Sequence, residues 1–177
     1  MSKDFTKELL GKVIQVDRNG PESSIGKLLH VGDDYIAILT NEGVVYYNSH
    51  HNKSFTENVK GDRKINAEVP KGFKKSCNLK ELIKSSQYEW LQINRGPETV
   101  EGVLASLEDD FVVLVNCGEM IRVALFHIKN VRFSYMDKSV NNQSSSSSIS
   151  DESSSSSSSD ESSSSSDESS FRPSHLS

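Results

Sequence analysis

Two stretches of the chain carry the same order of apolar and polar positions. Residues 14–16 and 91–93 alternate apolar and polar side chains, as a strand with one solvent-exposed face does. Residues 35–40 and 111–115 are almost continuously apolar, which indicates strands that are covered on both faces. Each stretch therefore predicts a set of short β-strands around a small core.

The two stretches align without a gap when residues 20–56 are compared with residues 96–132. Nine positions are identical, and most apolar positions stay apolar where the residues differ. Each copy opens on a Gly-Pro-Glu turn, because Gly permits a positive φ and Pro lacks the N–H that a strand ladder needs. The turn residues are Gly20, Pro21 and Glu22 in the first copy and Gly96, Pro97 and Glu98 in the second. This agreement at an offset of 76 residues predicts an internal duplication.

Each copy predicts five short strands with a bend before the fifth, which is typical of an SH3-like or Sm-like small barrel. Short helices are expected ahead of the barrels, at residues 5–10 and 79–83. We therefore predict a mainly β fold with two tandem five-stranded barrels, in residues 1–58 and 77–136, joined by an exposed linker at 59–76. Since about 45 residues bury little surface, the two barrels should pack against each other or against another chain.

Residues 137–177 differ in composition from the rest of the chain. Within them, residues 144–170 hold twenty Ser, six acidic residues and one Ile. So little apolar surface cannot offset the entropy that folding costs, and this tail is predicted to be disordered. The tail also supplies the whole net charge of −5, because residues 1–143 carry 19 basic and 19 acidic side chains.

The neutral charge of the barrels bears on nucleic-acid binding. A polyanion is held by clustered Lys and Arg that displace its counterions, and no such excess is present. Sm-like barrels often bind RNA through loop residues, so an Sm-like RNA-binding module is the alternative function. Against it, the bend before the fifth strand contains no Arg-Gly pair. Nucleic acid is therefore not expected as a partner.

Membrane and metal sites are not expected either. No apolar run approaches the roughly 20 residues of a membrane span, and the first residues lack the apolar core of a signal peptide. His51 and His127 occupy equivalent positions, but bonding to backbone at the bend is a simpler role than metal ligation. Cys77 and Cys117 are too few and too far apart for a zinc site or a disulfide framework.

An enzymatic function finds little support in the sequence. Glu22 and Glu98 could act as a general acid and base, although their place in a Gly-Pro-Glu turn explains them more simply. There is no nucleophile with a base at a recognisable spacing and no Gly-rich loop of the kind that binds phosphates. We therefore expect no catalytic residues and no cofactor.

Several motifs together resemble those of a known family. The duplicated Gly-Pro-Glu module, Gly-Lys-Leu at 26–28, Asp-Asp-Tyr-Ile-Ala at 33–37, Phe-His-Ile-Lys at 126–129 and the Ser-rich tail resemble spore coat protein B of endospore-forming bacteria. The resemblance implies a non-enzymatic structural component of the outer spore coat, synthesised in the mother-cell cytoplasm. It also implies that the partners are other coat proteins and a coat-associated protein kinase that phosphorylates the tail, with self-association as a further possibility. The family's tails interleave Ser with Lys and Arg, whereas this tail interleaves Ser with Asp and Glu.

Three serines of the tail are the candidate phosphorylation sites. Ser150, Ser159 and Ser166 each stand two residues before a Glu, the arrangement that acid-directed kinases recognise. Each phosphate adds about −1.5 to −2 charges, so a modified tail would be a polyanion able to bridge basic proteins or bind divalent cations. The alternative interpretation is an unmodified, hydrated spacer.

Overall fold

The computed structural model of the chain describes residues 6–57, 60 and 63–134. This part is mainly β, as predicted. The predicted tail and its three candidate serines, Ser150, Ser159 and Ser166, lie outside the described residues. The strands are β1 Val13–Val16, β2 Ser24–Val31, β3 Tyr35–Thr40, β4 Gly43–Asn48, β5 Phe55–Glu57, β6 Trp90–Ile93, β7 Val100–Leu107, β8 Phe111–Asn116, β9 Glu119–Ala124 and β10 Asn130–Phe133. Helix α1 is Leu79–Lys84, and single 3₁₀ turns lie at Gly96–Glu98 and Leu125–His127.

These strands form one antiparallel sheet in the order β5-β1-β2-β3-β4-β10-β6-β7-β8-β9. Each half of the chain therefore contributes five neighbouring strands, arranged as fifth, first, second, third and fourth. The halves meet where β10 pairs with β4. Because the sheet is continuous across this point, the division into two separate barrels stays a prediction.

The strand registers of the two halves correspond pair by pair. The pairing of β2 with β3 and that of β7 with β8 are identical after an offset of 76 residues. Both ladders also shift register at one place, between Leu28 and His30 in the first half and between Leu104 and Ser106 in the second. The pairings of β3 with β4 and of β8 with β9 show the same offset throughout.

The core consists of two clusters of buried apolar side chains. The cluster of the first half contains Leu9, Ile14, Val16, Leu28, Ile36, Ile38, Val45 and Tyr47. The larger cluster contains the second half's counterparts of five of these residues, namely Leu91, Ile93, Leu104, Val112 and Leu114. It also contains the apolar face of α1, formed by Leu79, Leu82 and Ile83. The helix predicted at 79–83 is thus present, and the side chain of Asn78 caps it by accepting a hydrogen bond from the Glu81 N–H at 2.8 Å.

Strand β3 is buried on both faces, as its continuous apolar run predicted. All six of its residues are buried. One face contributes Ile36 and Ile38 to the first cluster, and the other contributes Tyr35, Ala37 and Leu39 to the larger one. Burying both faces of one strand requires cover from outside the sheet of its own half.

The cover is supplied by the segment between the halves. We expected residues 59–76 to be exposed, but Ile65, Ala67 and Phe73 pack against the larger cluster. The Phe73 ring stacks on Tyr46 at 6.1 Å, and the Tyr46 hydroxyl donates to the Lys74 carbonyl at 3.1 Å. The polar composition of the segment concealed these few apolar contacts. It has no regular secondary structure in its described residues, yet it is fixed on the sheet.

Substitution of Gly26 should destabilise the fold. A Cβ at this position would lie 2.6 Å from the backbone oxygen of Leu39, so the sheet would have to shift. We expect Gly26→Ala to lower the free energy of unfolding by about 1–3 kcal/mol, measured by urea denaturation. Gly20→Ala is the matched control, because a Cβ there meets nothing within 4 Å. Equal denaturation midpoints for the two variants would contradict the packing described here.

Candidate functional site

The junction between the halves is an antiparallel strand pair. In it, Asn130, Val131 and Arg132 of β10 lie opposite Tyr47, Tyr46 and Val45 of β4. The ladder continues beyond the strands, where the Asn48 N–H donates to the Lys129 carbonyl at 2.9 Å. The Asn48 side-chain amide also donates to the Ile128 carbonyl at 3.0 Å. The second half is therefore joined to the first by main-chain bonds as well as by side chains.

Glu22 of the first Gly-Pro-Glu turn lies at this junction. Its side chain is only 12% exposed. One carboxylate oxygen accepts the Arg95 N–H at 3.1 Å and also the side-chain amide of Asn130. The Glu22 carbonyl accepts the Tyr47 hydroxyl at 2.7 Å. The residue predicted as a turn marker therefore connects the two halves.

Glu98 of the second Gly-Pro-Glu turn has a different environment. Its side chain is 62% exposed and pairs with Lys129 at 2.5 Å. Lys129 also lies 3.8 Å from Glu22, so one ammonium group stands near both duplicated carboxylates. The hydrogen bond and charge of Lys129 lower the pKa of Glu98, and the same bond raises the pKa of Lys129. This arrangement favours the ionised carboxylate of Glu98, which is the opposite of what a general acid requires.

The glycines of the two turns also differ. Gly96 has φ +73°, and a Cβ there would lie 2.8 Å from Cβ of Pro21. The second turn thus rests directly on the first, and this contact leaves no room for a side chain. Gly20 has open space around it. Pro97 lies in the 3₁₀ turn Gly96–Glu98 and is exposed.

Two arginines of the second half meet one glutamate of the first. Glu42, in the turn between β3 and β4, pairs with Arg95 at 3.1 Å and with Arg132 at 3.4 Å. Arg95 also donates to the Ser24 hydroxyl, and Arg132 to the Glu42 carbonyl. The cationic charge on this side of the junction is therefore neutralised within the chain.

Aromatic side chains pack on the other face of the junction. Phe133 of β10 contacts Tyr46 of β4 edge to face, with ring centroids 5.1 Å apart. Both rings are essentially buried. Burial also raises the pKa of Tyr47, whose hydroxyl is held by the Glu22 carbonyl. The junction thus combines buried aromatic area with polar contacts that fix its register.

A groove of about 720 Å³ opens beside the junction. Its wall includes the carboxylates of Glu42, Glu68 and Glu101. Lys71 and Arg132 also line it, together with the Trp90 side chain. A lining with more carboxylates than cations suits neither a phosphate nor a nucleic-acid backbone.

The structure places the remaining candidates without forming a reactive site. His51 and His127 both contact or adjoin the exposed Phe126 ring, with ring centroids at 5.7 and 5.4 Å. Among the described residues no group of three or more His, Cys, Asp or Glu side chains is arranged to hold a metal ion. Cys77 and Cys117 are exposed free thiols. In the same part of the chain, no helix is both long and apolar enough to cross a membrane.

Sequence reasoning missed several residues of this junction. Glu42, Asn130 and Arg132 were not singled out, although all three bridge the halves. The available signal was divergence between the copies. Asn130 aligns with Ser54 and Arg132 with Thr56, so the positions at which the copies differ mark the surface that only one of them uses.

Removal of the Glu22 carboxylate should weaken the junction. Glu22→Ala leaves the buried Asn130 amide without this acceptor, so we expect the free energy of unfolding to fall by about 2–3 kcal/mol. Glu98→Ala is the matched control in the same motif, and its urea midpoint should stay near that of the unchanged chain because the side chain is exposed. Equal losses in the two variants would show that Glu22 has no special role.

Comparison with known proteins supplies the remaining evidence. The chain is similar to spore coat protein B of Bacillus subtilis (strain 168), with 42% identity over 125 residues. This match covers 70% of the chain, which spans about a third (33%) of the length of that curated relative. No protein-family model matches the chain. No solved structure matches it either. The resemblance predicted from the Gly-Pro-Glu repeat and its neighbouring motifs is confirmed, and the chain is related to the spore coat protein B family.

Proposed function

We propose that this chain is a non-enzymatic structural component of the bacterial spore coat. The observation that carries the proposal is its 42% identity to spore coat protein B over 125 residues. The chain would be synthesised in the mother-cell cytoplasm and deposited in the outer coat layer. Its partners would be other coat proteins, and a coat-associated kinase would phosphorylate its tail.

The building block would be a pair of tandem five-stranded modules. The offset of 76 residues between the strand registers of the two halves supports this division. Each half also pairs its fifth strand with its first, β5 with β1 and β10 with β6. The proposed modules are held together by the β4 and β10 pair, by Glu22 and by the segment from Ile65 to Phe73. A pair fixed in this way would act as one rigid unit in a protein layer.

Charge pairing at the junction supports a structural role over catalysis. The Glu98 carboxylate is neutralised by Lys129, and the Glu42 carboxylate by two arginines. Glu22 accepts hydrogen bonds from the second half. None of these carboxylates is thereby left to transfer a proton to a substrate. Their contacts hold strands and turns together instead.

The same pairing weighs against the alternative of an RNA-binding module. Arg95 and Arg132, the arginines of the junction, are engaged by Glu42. A strand of RNA would have to displace that carboxylate to reach them. A filter-binding assay at low salt separates the two functions, since RNA binding would fall steeply as salt rises. We expect no retention of RNA by the purified chain.

The location of the chain can be tested in sporulating cells. An epitope-tagged chain should fractionate with the extracted coat layers of mature spores and should be absent from the washed spore core. A tagged cytoplasmic enzyme of the mother cell is the control for carry-over. Recovery of the chain only with that control would sink the proposed coat role.

The tail can be tested separately. We expect the intact mass of the chain extracted from spores to show successive phosphate additions, with a reduced number in the variant that combines Ser150→Ala, Ser159→Ala and Ser166→Ala. Each phosphate should also shift the chain to lower isoelectric point, because it adds about −1.5 to −2 charges. A single unmodified mass would support the unmodified spacer instead.

A further inference from the structure

The two ends of the sheet carry the same kinds of strand as the junction at its centre. The central junction joins a fourth strand, β4, to a fifth strand, β10. The sheet ends on the other fifth strand, β5, and on the other fourth strand, β9. Within the described residues neither end strand has a partner on its outer side. One copy of the chain therefore presents both members of a strand pair that it already forms internally.

We propose that copies of this chain associate head to tail, with β9 of one copy pairing with β5 of the next. The new pair would reproduce the pairing of β4 with β10 and would continue the sheet from chain to chain. This inference deepens the proposed role as a coat building block, because it identifies the self-association by which that block would extend.

Burial differs between the central strands and the end strands in the sense that the proposal requires. In β4, Val44 and Tyr46 have no exposed surface. Their counterparts in β9, Met120 and Arg122, are exposed, and Met120 retains 58% of its surface. Phe133 of β10 is 2% exposed, whereas Glu57, its counterpart in β5, is exposed. The end strands thus carry side chains that suit a surface awaiting a partner strand.

The backbone of β9 presents hydrogen-bond donors outward. In the first half, the Ser49 N–H bonds to Asp34 on the neighbouring strand side, and the Asn48 N–H bonds outward to Lys129. In the second half, the Leu125 N–H bonds to Asp110 at 2.8 Å, which is the same contact after the offset of 76. The preceding N–H, that of Ala124, is therefore directed away from β8. By the same equivalence its acceptor would be the Lys53 carbonyl of the next copy.

The side chains facing each other across the proposed pair have complementary charge. Tyr46 and Phe133 contact each other across the central junction. Their counterparts are Arg122 on β9 and Glu57 on β5, which would meet as an ion pair between copies. Glu57 is at present paired with Lys12 at 2.7 Å in an exposed position, so it remains accessible to a second cation. Opposite charges across neighbouring strands stabilise an antiparallel pair.

The Gly-Pro-Glu turn contributes a second matched contact. At the central junction, Glu22 accepts bonds from the Arg95 N–H and from Asn130. The counterparts are Glu98 as the acceptor and Arg18 with Ser54 as the receiving pair. The Arg18 N–H and the Ser54 hydroxyl lie 3.2 Å apart at the exposed surface, close enough to receive one carboxylate together. Glu98 is exposed at the other end of the chain.

The geometry distinguishes this association from a symmetric dimer. A contact between two different surfaces leaves one free edge at each end, so it continues until the assembly closes into a ring or extends as a filament. Pairing of β9 with a second β9 would stop at two copies and would not use β5. Variants of β5 therefore decide between the two arrangements.

Proline at position 124 tests the main-chain contact. Ala124 has φ −63°, which matches the fixed φ of proline, and its N–H is directed away from β8. Ala124→Pro should leave the monomer folded while removing one outward donor. We expect the unchanged full-length chain to show a mass that rises with concentration in sedimentation velocity. Ala124→Pro should raise the concentration for half-association by roughly 5- to 10-fold, and Ala124→Ser, which keeps the N–H, should not.

Charge reversal tests the partner and the polarity. Arg122→Glu and Glu57→Arg should each weaken association by about 3-fold or more, since each places like charges opposite each other. The chain carrying both changes should associate within about 2-fold of the unchanged chain. An equimolar mixture of the two single variants should form mixed complexes that neither forms alone. Circular dichroism of each variant controls for folding.

Two results would overturn the proposal. One is a chain that stays monomeric at the highest soluble concentration. The other is association that neither Ala124→Pro nor the charge reversals change, or that responds to Arg122→Glu but not to Glu57→Arg. Because these measurements use purified protein, their failure would leave the coat location untouched, and absence from the coat fraction would leave the association measurable.

Discussion

The pairing of β10 with β4 is the interaction on which the rest of the structure depends. Without it, β4 and β10 would each expose a row of backbone donors and acceptors and several aromatic rings to water. Neither half would be large enough to bury much apolar surface alone. The pair turns two small strand sets into one ten-stranded sheet, and the segment from Ile65 to Phe73 then covers the face of β3 and β4 that the sheet itself cannot cover.

The two copies have diverged where their environments differ. Glu22 and Glu98 occupy the same place in the same motif, yet the first is nearly buried against the second half and the second is exposed beside Lys129. Tyr46 is buried under Phe73 and Phe133, whereas its counterpart Arg122 is exposed. A duplicated sequence thus keeps its turns and registers while its surfaces adapt to different neighbours.

The sequence allowed the strands, the turns and α1 to be predicted because these depend on local chemistry. Asn78 caps the helix where predicted, and the continuous apolar run of β3 is buried throughout. The junction was not predicted, because it depends on contacts between residues such as Glu22 and Asn130 that are 108 positions apart. The linker was misjudged for a related reason. Its Phe73 is one apolar residue in a polar segment, and only the aromatic face of Tyr46 gives it a place to pack.

A sheet with unlike ends has a further consequence for a protein that forms layers. Natural edge strands are commonly protected by charge, and here the outer strands carry Arg122 on one end and Glu57 on the other. Charges of opposite sign at opposite ends oppose pairing of like edges and permit pairing of unlike ones. Protection against unspecific aggregation and selection of a directional contact can therefore come from the same two side chains. In that case the duplication did more than enlarge the core, since the contact that holds the two halves together also provides the pattern by which one chain can join the next.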